Sequence, residues 1–136
     1  MIKVTKQKVL TVKKKLKPLL SSNRKYNTTY TDIKKYFKML NLGIFDNKLS
    51  SFNDIEIKEL KYQKCMGQVI QLEWKRKGTK MYKLEMDKKY DTKKDFLETL
   101  AHEMVHLYQF LTNDTGNHNK LFYSFSPKLQ YIGLKL

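Results

Sequence analysis

TKKDFLETLAHEMVHLYQFL (residues 92–111) is the stretch that decides the reading of this chain. Phe96 to Leu111 runs sixteen residues without Gly or Pro. Thr92, followed three residues later by Asp95, resembles a capping box with Asp in place of Glu, so a helix is expected to start here. Phe96, Leu97, Leu100, Ala101, Met104, Val105, Leu107, Tyr108, Phe110 and Leu111 make that helix apolar nearly all round, which predicts burial. One narrow polar stripe interrupts it: Thr99, His102, Glu103, His106 and Gln109.

Within the stripe, His102-Glu103-Met104-Val105-His106 has the form H-E-x-x-H. On a helix, residues four apart face the same way, so both imidazoles can bind one metal ion. Glu103, one residue on from the first His, can reach a water activated by that ion without itself being a ligand. The surroundings agree. The chain's three histidines, His102, His106 and His118, fall within 17 residues, and residues 95–119 contain no Lys or Arg. A solvated helix face in a lysine-rich chain would carry lysine, whereas a site for a cation excludes it.

The third ligand is found by elimination. No acid follows Asp114, so a glutamate on a downstream helix is ruled out. Gln109 and Thr112 stand where an H-E-x-x-H-x-x-G-x-x-H pattern needs Gly and His. His118 and Asp114 remain. His118 is the better candidate, because it follows the loop Thr112 to Gly116 and opens the next helix, from which its ring can point back. Asp114 reads as a supporting or loop-shaping residue. Two histidines, a third protein ligand and an open position describe a catalytic zinc site.

Upstream, the spacing of Ile33, Tyr36, Phe37, Leu40 and Ile44 predicts a helix with Thr31 as N-cap and Gly43 near its end. Asp46-Asn47 marks a turn. Strands are expected over Asp54–Leu60, Gln68–Trp74 and Lys80–Asp87, the last two forming a hairpin around Lys77-Gly78-Thr79. Downstream, Asn117 can cap a last helical segment holding Leu121, Phe122 and Phe125, and Pro127 kinks or restarts it with Ser126 as cap. Residues 1–31 hold nine basic residues and no acid. Val4, Val9, Leu10, Val12 and Leu16 follow no clean period there, which leaves a loosely docked helix or a flexible arm that orders on a partner. The stretch from Pro18 to Asn27 reads as a linker.

Composition bounds the rest. The 136 residues are 40% hydrophobic and 30% charged, which suits one folded domain. No apolar run approaches the roughly 18 residues of a membrane span, and MIKVTKQKVL lacks a secretory h-region. The single cysteine, Cys65, excludes a disulfide framework and a four-cysteine zinc site within the chain; a small residue buried in the sheet and a reducing cytoplasm are expected. A formal net charge of +15 suggests an anionic partner, most often nucleic acid. Only Arg24 and Arg76 are arginines, so such contact would be backbone-directed and sequence-neutral.

His102-Glu103-Met104-Val105-His106, a short loop, Gly116-Asn117-His118 and Phe122 four residues later together resemble the SprT-like zinc metalloprotease domain, related to Spartan. Tyr36-Phe37 through Phe45-Asp46-Asn47-Lys48-Leu49 is similar to that family's first helix and the turn after it, and Cys65-Met66-Gly67-Gln68 to its glycine-bearing strand. The resemblance covers roughly residues 31–132. It implies an α+β, zincin-like minimal metalloprotease core: a helix, a small three-stranded sheet, the H-E-x-x-H helix and a C-terminal helix. It also implies Zn2+ held by His102, His106 and His118, with Glu103 as catalytic base. Asn117 departs from the family's more direct Gly-His, and no cysteine ribbon follows, as in small bacterial or phage members.

The expected organisation is a basic arm and linker over residues 1–30 and a catalytic domain over 31–136. The expected function is a zinc-dependent endopeptidase acting on DNA-associated proteins, with DNA held by the basic surface and the arm, and no membrane partner. The alternatives are a non-catalytic nucleic-acid-binding protein on the same fold, or another zinc hydrolase.

Overall fold

The computed structural model describes residues 3–60, 66–74 and 79–136 and is an α+β fold. Cys65 and the turn residues Lys77 and Gly78 lie outside the described residues. The elements are α1 (Lys6–Leu16), β1 (Tyr26–Asn27), α2 (Tyr30–Phe45), β2 (Asp54–Ile57), β3 (Gly67–Trp74), β4 (Thr79–Met86), β5 (Lys89–Tyr90), α3 (Lys93–Leu111), α4 (Lys120–Tyr123) and α5 (Ser126–Tyr131).

The three-stranded sheet has the order β2-β4-β3. β3 and β4 are antiparallel, with Val69 opposite Leu84, and β2 runs parallel to β4, with Ile55 opposite the same Leu84. Strand alternation sends Tyr82, Leu84 and Met86 inward, where they are buried. They meet Ile33, Leu40 and Ile44 of α2 and Phe96, Leu97, Leu100 and Met104 of α3 in one core. The opposite face of the sheet carries a charge cluster. Glu85 accepts from the Gln68 amide at 2.6 Å and pairs with Lys58 and Lys83 at 3.4 Å, and Lys83 also reaches Glu56 at 2.6 Å. Burial pushes the Glu85 carboxyl up, but the Gln68 bond and the two ammonium groups outweigh it and hold the group below its ordinary value. Its low exposure comes from those partners' side chains lying over it on the sheet surface rather than from depth in the core.

Several local expectations need correction. The cap of α2 is Thr29, whose hydroxyl accepts from the Asp32 N–H at 3.1 Å, and not Thr31. β2 ends at Ile57, short of Leu60, although Leu60 is still buried. The linker contains β1, which pairs antiparallel with β5, Tyr26 opposite Tyr90, and ties the entry of α2 to the entry of α3. Asp46 (φ 52°) and Asn47 (φ 60°) make the expected turn in left-handed conformation.

The N-terminal segment is a docked helix. Thr5 caps α1, and Val12 and Leu16, one turn apart, are buried in the core. Gly43 lies inside α2 and makes this crossing possible: a Cβ there would sit 2.6 Å from Val12 Cγ2. Lys8 pairs with Asp46 at 3.0 Å beyond it. No described helix is long and apolar enough to cross a membrane.

Candidate metal centre

α3 starts where its sequence dictates. The Thr92 hydroxyl accepts from the Asp95 N–H at 3.1 Å. Nine of its side chains are buried, including Glu103 and Gln109 from the polar stripe. His102, Glu103 and His106 all lie within it. At its end the chain reverses through Asn113 (φ 62°) and Gly116 (φ 77°), and Asp114 N–H donates to the Gln109 carbonyl at 2.7 Å. His118 follows in the bend just before α4. The cap of α4 is Asn119, whose side-chain oxygen accepts from the Phe122 N–H at 3.1 Å; the expected cap, Asn117, does not serve. α5 begins without a side-chain cap, with Pro127 in its first turn.

The fold brings the three histidines together. Nε2 of His106 lies 3.2 Å from Nε2 of His102 and 3.2 Å from Nε2 of His118. Two nitrogens bound tetrahedrally to one zinc at about 2.0–2.1 Å stand roughly 3.3 Å apart, so these spacings fit one ion. All three ligand nitrogens fall within 4.8 Å of one another, and among the described residues no other group of three histidines, cysteines or acids converges in this way. Phe122 is buried beneath them, its ring centroid 4.8, 4.9 and 4.5 Å from those of His102, His106 and His118. The phenyl ring stacks with those of His106 and His118 and meets His102 at 69°, so one buried side chain contacts all three.

Gln109 orders the donor set from behind. Its Oε1 lies 2.8 Å from His106 Nδ1, so it holds the proton there and leaves the Nε2 lone pair free to bind. The two hydrogens of its amide nitrogen are shared among three acceptors, Asp114 Oδ2 at 3.0 Å, the Asn117 carbonyl at 2.7 Å and Asn119 Oδ1 at 3.2 Å. One fully buried side chain therefore ties a candidate ligand on α3 to the loop that carries His118. Asp114 also accepts from Asn119 at 3.0 Å and is not among the converging donors. Sequence reasoning placed Gln109 in the polar stripe without a role. The available signal was its position three residues after His106, on the same helix face.

Electrostatics favour the neutral imidazoles a metal needs. Burial, helped by the neighbouring His106 and His118, pushes His102 down to about 4. Burial also lowers His106, against the opposing Gln109 bond. Glu103 is raised by burial to about 8, with the Val69 backbone N–H pulling the other way. That hydrogen bond joins the carboxyl to β3, next to the helix.

Gly67 sets how closely β3 approaches, since a Cβ there would sit 2.9 Å from Thr99 Cγ2. Beside the histidines, Met66, Gly67, Thr99, His102 and Glu103 line a cleft of about 410 Å3, whose wall also holds Asp95, Glu98 and Lys135. The stretch without lysine is therefore approached by one, Lys135, from the C-terminal segment. Tyr123, on α4, is exposed with its ring 6.5 Å from that of His118, and Tyr131, on α5, packs under Lys13 at 4.2 Å.

Comparison with curated proteins finds none that matches the chain. The model of the SprT-like family matches residues 33–133, which include most of α2, the sheet, α3 and the loop with His118. On that match, which takes in most of the sequence, the chain belongs to the SprT-like family of metalloprotease-like domains.

Proposed function

We propose that this chain is a zinc-dependent endopeptidase with a zincin-like core that cleaves proteins associated with DNA. The observation that carries the reading is the convergence of three imidazole nitrogens beside a buried glutamate, at the edge of an open cleft. His102, His106 and His118 would hold the ion, in the tautomer that Gln109 sets. When bound, zinc supplies a Lewis acid for a water molecule and for the scissile carbonyl. Burial alone holds the Glu103 carboxyl up at about 8, and a cation beside it would favour the ionised form; that carboxylate would take a proton from the attacking water and return it to the leaving amine as the C–N bond breaks. The Val69 N–H ties the carboxyl to β3 beside the cleft that Glu103 lines. Association with DNA rests on the net charge of +15.

Glu103→Gln keeps the shape and removes the proton acceptor. The variant should retain full zinc content and an unchanged melting temperature and lose cleavage of an unfolded protein substrate by about 100-fold or more. The wild type should cut a DNA-bound basic protein faster than the same protein without DNA. A Glu103→Gln variant that cuts at the wild-type rate would refute the mechanism. A wild type that binds zinc and DNA but cuts nothing would favour the non-catalytic alternative.

A further inference from the structure

A second concavity lies on the side of α2 away from α1, between that helix, the segment that follows it and β2. It has a volume of about 460 Å3. Its floor is apolar, formed by the half-buried Ile55 and by Phe37 and Phe52, which are only 8% and 9% exposed and meet edge-to-face at 5.6 Å, so the floor offers apolar contact rather than an open ring face. Its rim is cationic. Lys34, Lys35 and Lys38 line it, all three are exposed, and among the described residues none has a carboxylate within ion-pair distance. Lys35 reaches back over the Tyr36 ring at 5.3 Å. Three acids adjoin the lining in sequence and none lines the groove: Asp32 accepts from the Tyr26 hydroxyl at 2.6 Å, Asp54 from the Ile55 N–H at 2.9 Å and Glu56 from Lys83 at 2.6 Å. β2 and β3 are the opposite outer strands of the three-stranded sheet. The groove therefore opens at one edge and the cleft with His102 and Glu103 at the other.

We propose that this groove binds single-stranded nucleic acid, with an unpaired base on the Phe37–Phe52–Ile55 floor and the flanking phosphates on Lys34, Lys35 and Lys38. An apolar floor under a positive rim suits a ligand that is flat and apolar at one point and anionic on either side. A duplex stacks its bases inward and would leave the floor unused. Lysines, unlike arginines, make no bidentate contact with guanine, so binding should not depend on sequence. The ligand would sit at the sheet edge away from the candidate metal centre, which leaves the cleft free for a protein carried on the same strand. The inference rests on the DNA part of the proposed function and not on its peptidase chemistry.

The test is binding of fluorescent oligothymidylate to the full, zinc-loaded chain across a salt series. A control triple substitution, Lys14→Gln/Lys15→Gln/Lys17→Gln, removes equal charge elsewhere. The groove triple, Lys34→Gln/Lys35→Gln/Lys38→Gln, should weaken binding by about ten-fold or more at low salt. It should also reduce the salt slope by roughly 2, which is three single-strand contacts at about 0.7 each. The control should lose much less. An abasic strand of equal length should bind more weakly than oligothymidylate, and so should a duplex. Equal losses in the two triples would mean diffuse charge and overturn the groove. Equal affinity for the abasic strand or the duplex would overturn the base-floor contact. Stronger competition by an acidic peptide than by oligothymidylate would assign the groove to protein instead. Binding is read without cleavage, so failure of the peptidase reading leaves this result interpretable, and the reverse holds too.

Discussion

Gln109 shows what single residues contribute here. A histidine ring with one free nitrogen can rotate or change tautomer, and a metal selects against both. The Gln109 amide prevents both at His106, and its NH2 group, shared among Asp114, Asn117 and Asn119, holds the loop that presents His118. Gln109→Leu keeps the volume and removes the whole set of bonds. Supporting residues of this kind change metal affinity by about 10–100-fold, and that is the loss expected in a zinc titration of the variant. The stability should fall as well, because Asp114 and Asn119 lose a buried partner. A variant with wild-type zinc affinity would leave Phe122 alone as the residue that orients the rings. His102 and His106 were legible from their spacing, because the helical repeat places residues four apart on one face; Glu103 was read from the H-E-x-x-H motif and not from the repeat. The third donor was narrowed to His118 and Asp114 by the absence of acids downstream. The network behind them was not legible, because it depends on how the loop folds back onto the helix.

Elements differ in how far their sequence announces them. α3 is capped, uninterrupted and apolar, so its limits could be read almost to the residue. α1 could not be read. Its sequence KQKVLTVKKKL has five lysines in eleven residues, and only Val12 and Leu16 are buried. A helix that docks through so narrow a strip leaves almost no period in its sequence. What makes the docking possible is the missing side chain at Gly43, on another helix. β1 and β5 are two residues each, too short for any alternation. The α1–α2 crossing predicts a coupling. Gly43→Ala raises helix propensity but drives a Cβ into Val12, so it should destabilise the protein by about 1–3 kcal/mol. In a Val12→Ala background the same change should be close to neutral, an interaction of about 0.5–3 kcal/mol by denaturant melts of the four proteins. Additive losses would mean that the helices separate in solution. The sheet predicts a pH effect. The Glu85 carboxyl is held below its ordinary 4.5 in the folded state, so its stabilisation is present above that value and is lost as pH falls through the folded value. Glu85→Gln should cost about 0.5–1 kcal/mol at pH 7, the range of surface ion pairs, and remove part of the stability loss seen on acidification below about pH 5. An unchanged acid profile would show that the cluster is fully solvated.

At the scale of the whole molecule, charge and chemistry are separated. Twenty-eight basic residues against thirteen acids cover the protein, yet the helix and loop that present the histidines contain no lysine or arginine from residue 95 to 119. Because α1 is part of the core, its lysines are tested by substitution and not by truncation; cutting the arm away would expose Val12 and Leu16, whose burial contributes on the order of 3 kcal/mol or more. The central claim is that the fold gathers three histidines from two segments into one metal site. Titration of the metal-free protein with zinc, read by calorimetry and by zinc absorption-edge spectroscopy, tests it directly. The expected result is one zinc per chain with three nitrogen ligands at about 2.0–2.1 Å, strongly weakened by His118→Ala and little changed by Asp114→Ala. Absence of binding, or loss of the site with Asp114→Ala but not with His118→Ala, would contradict it.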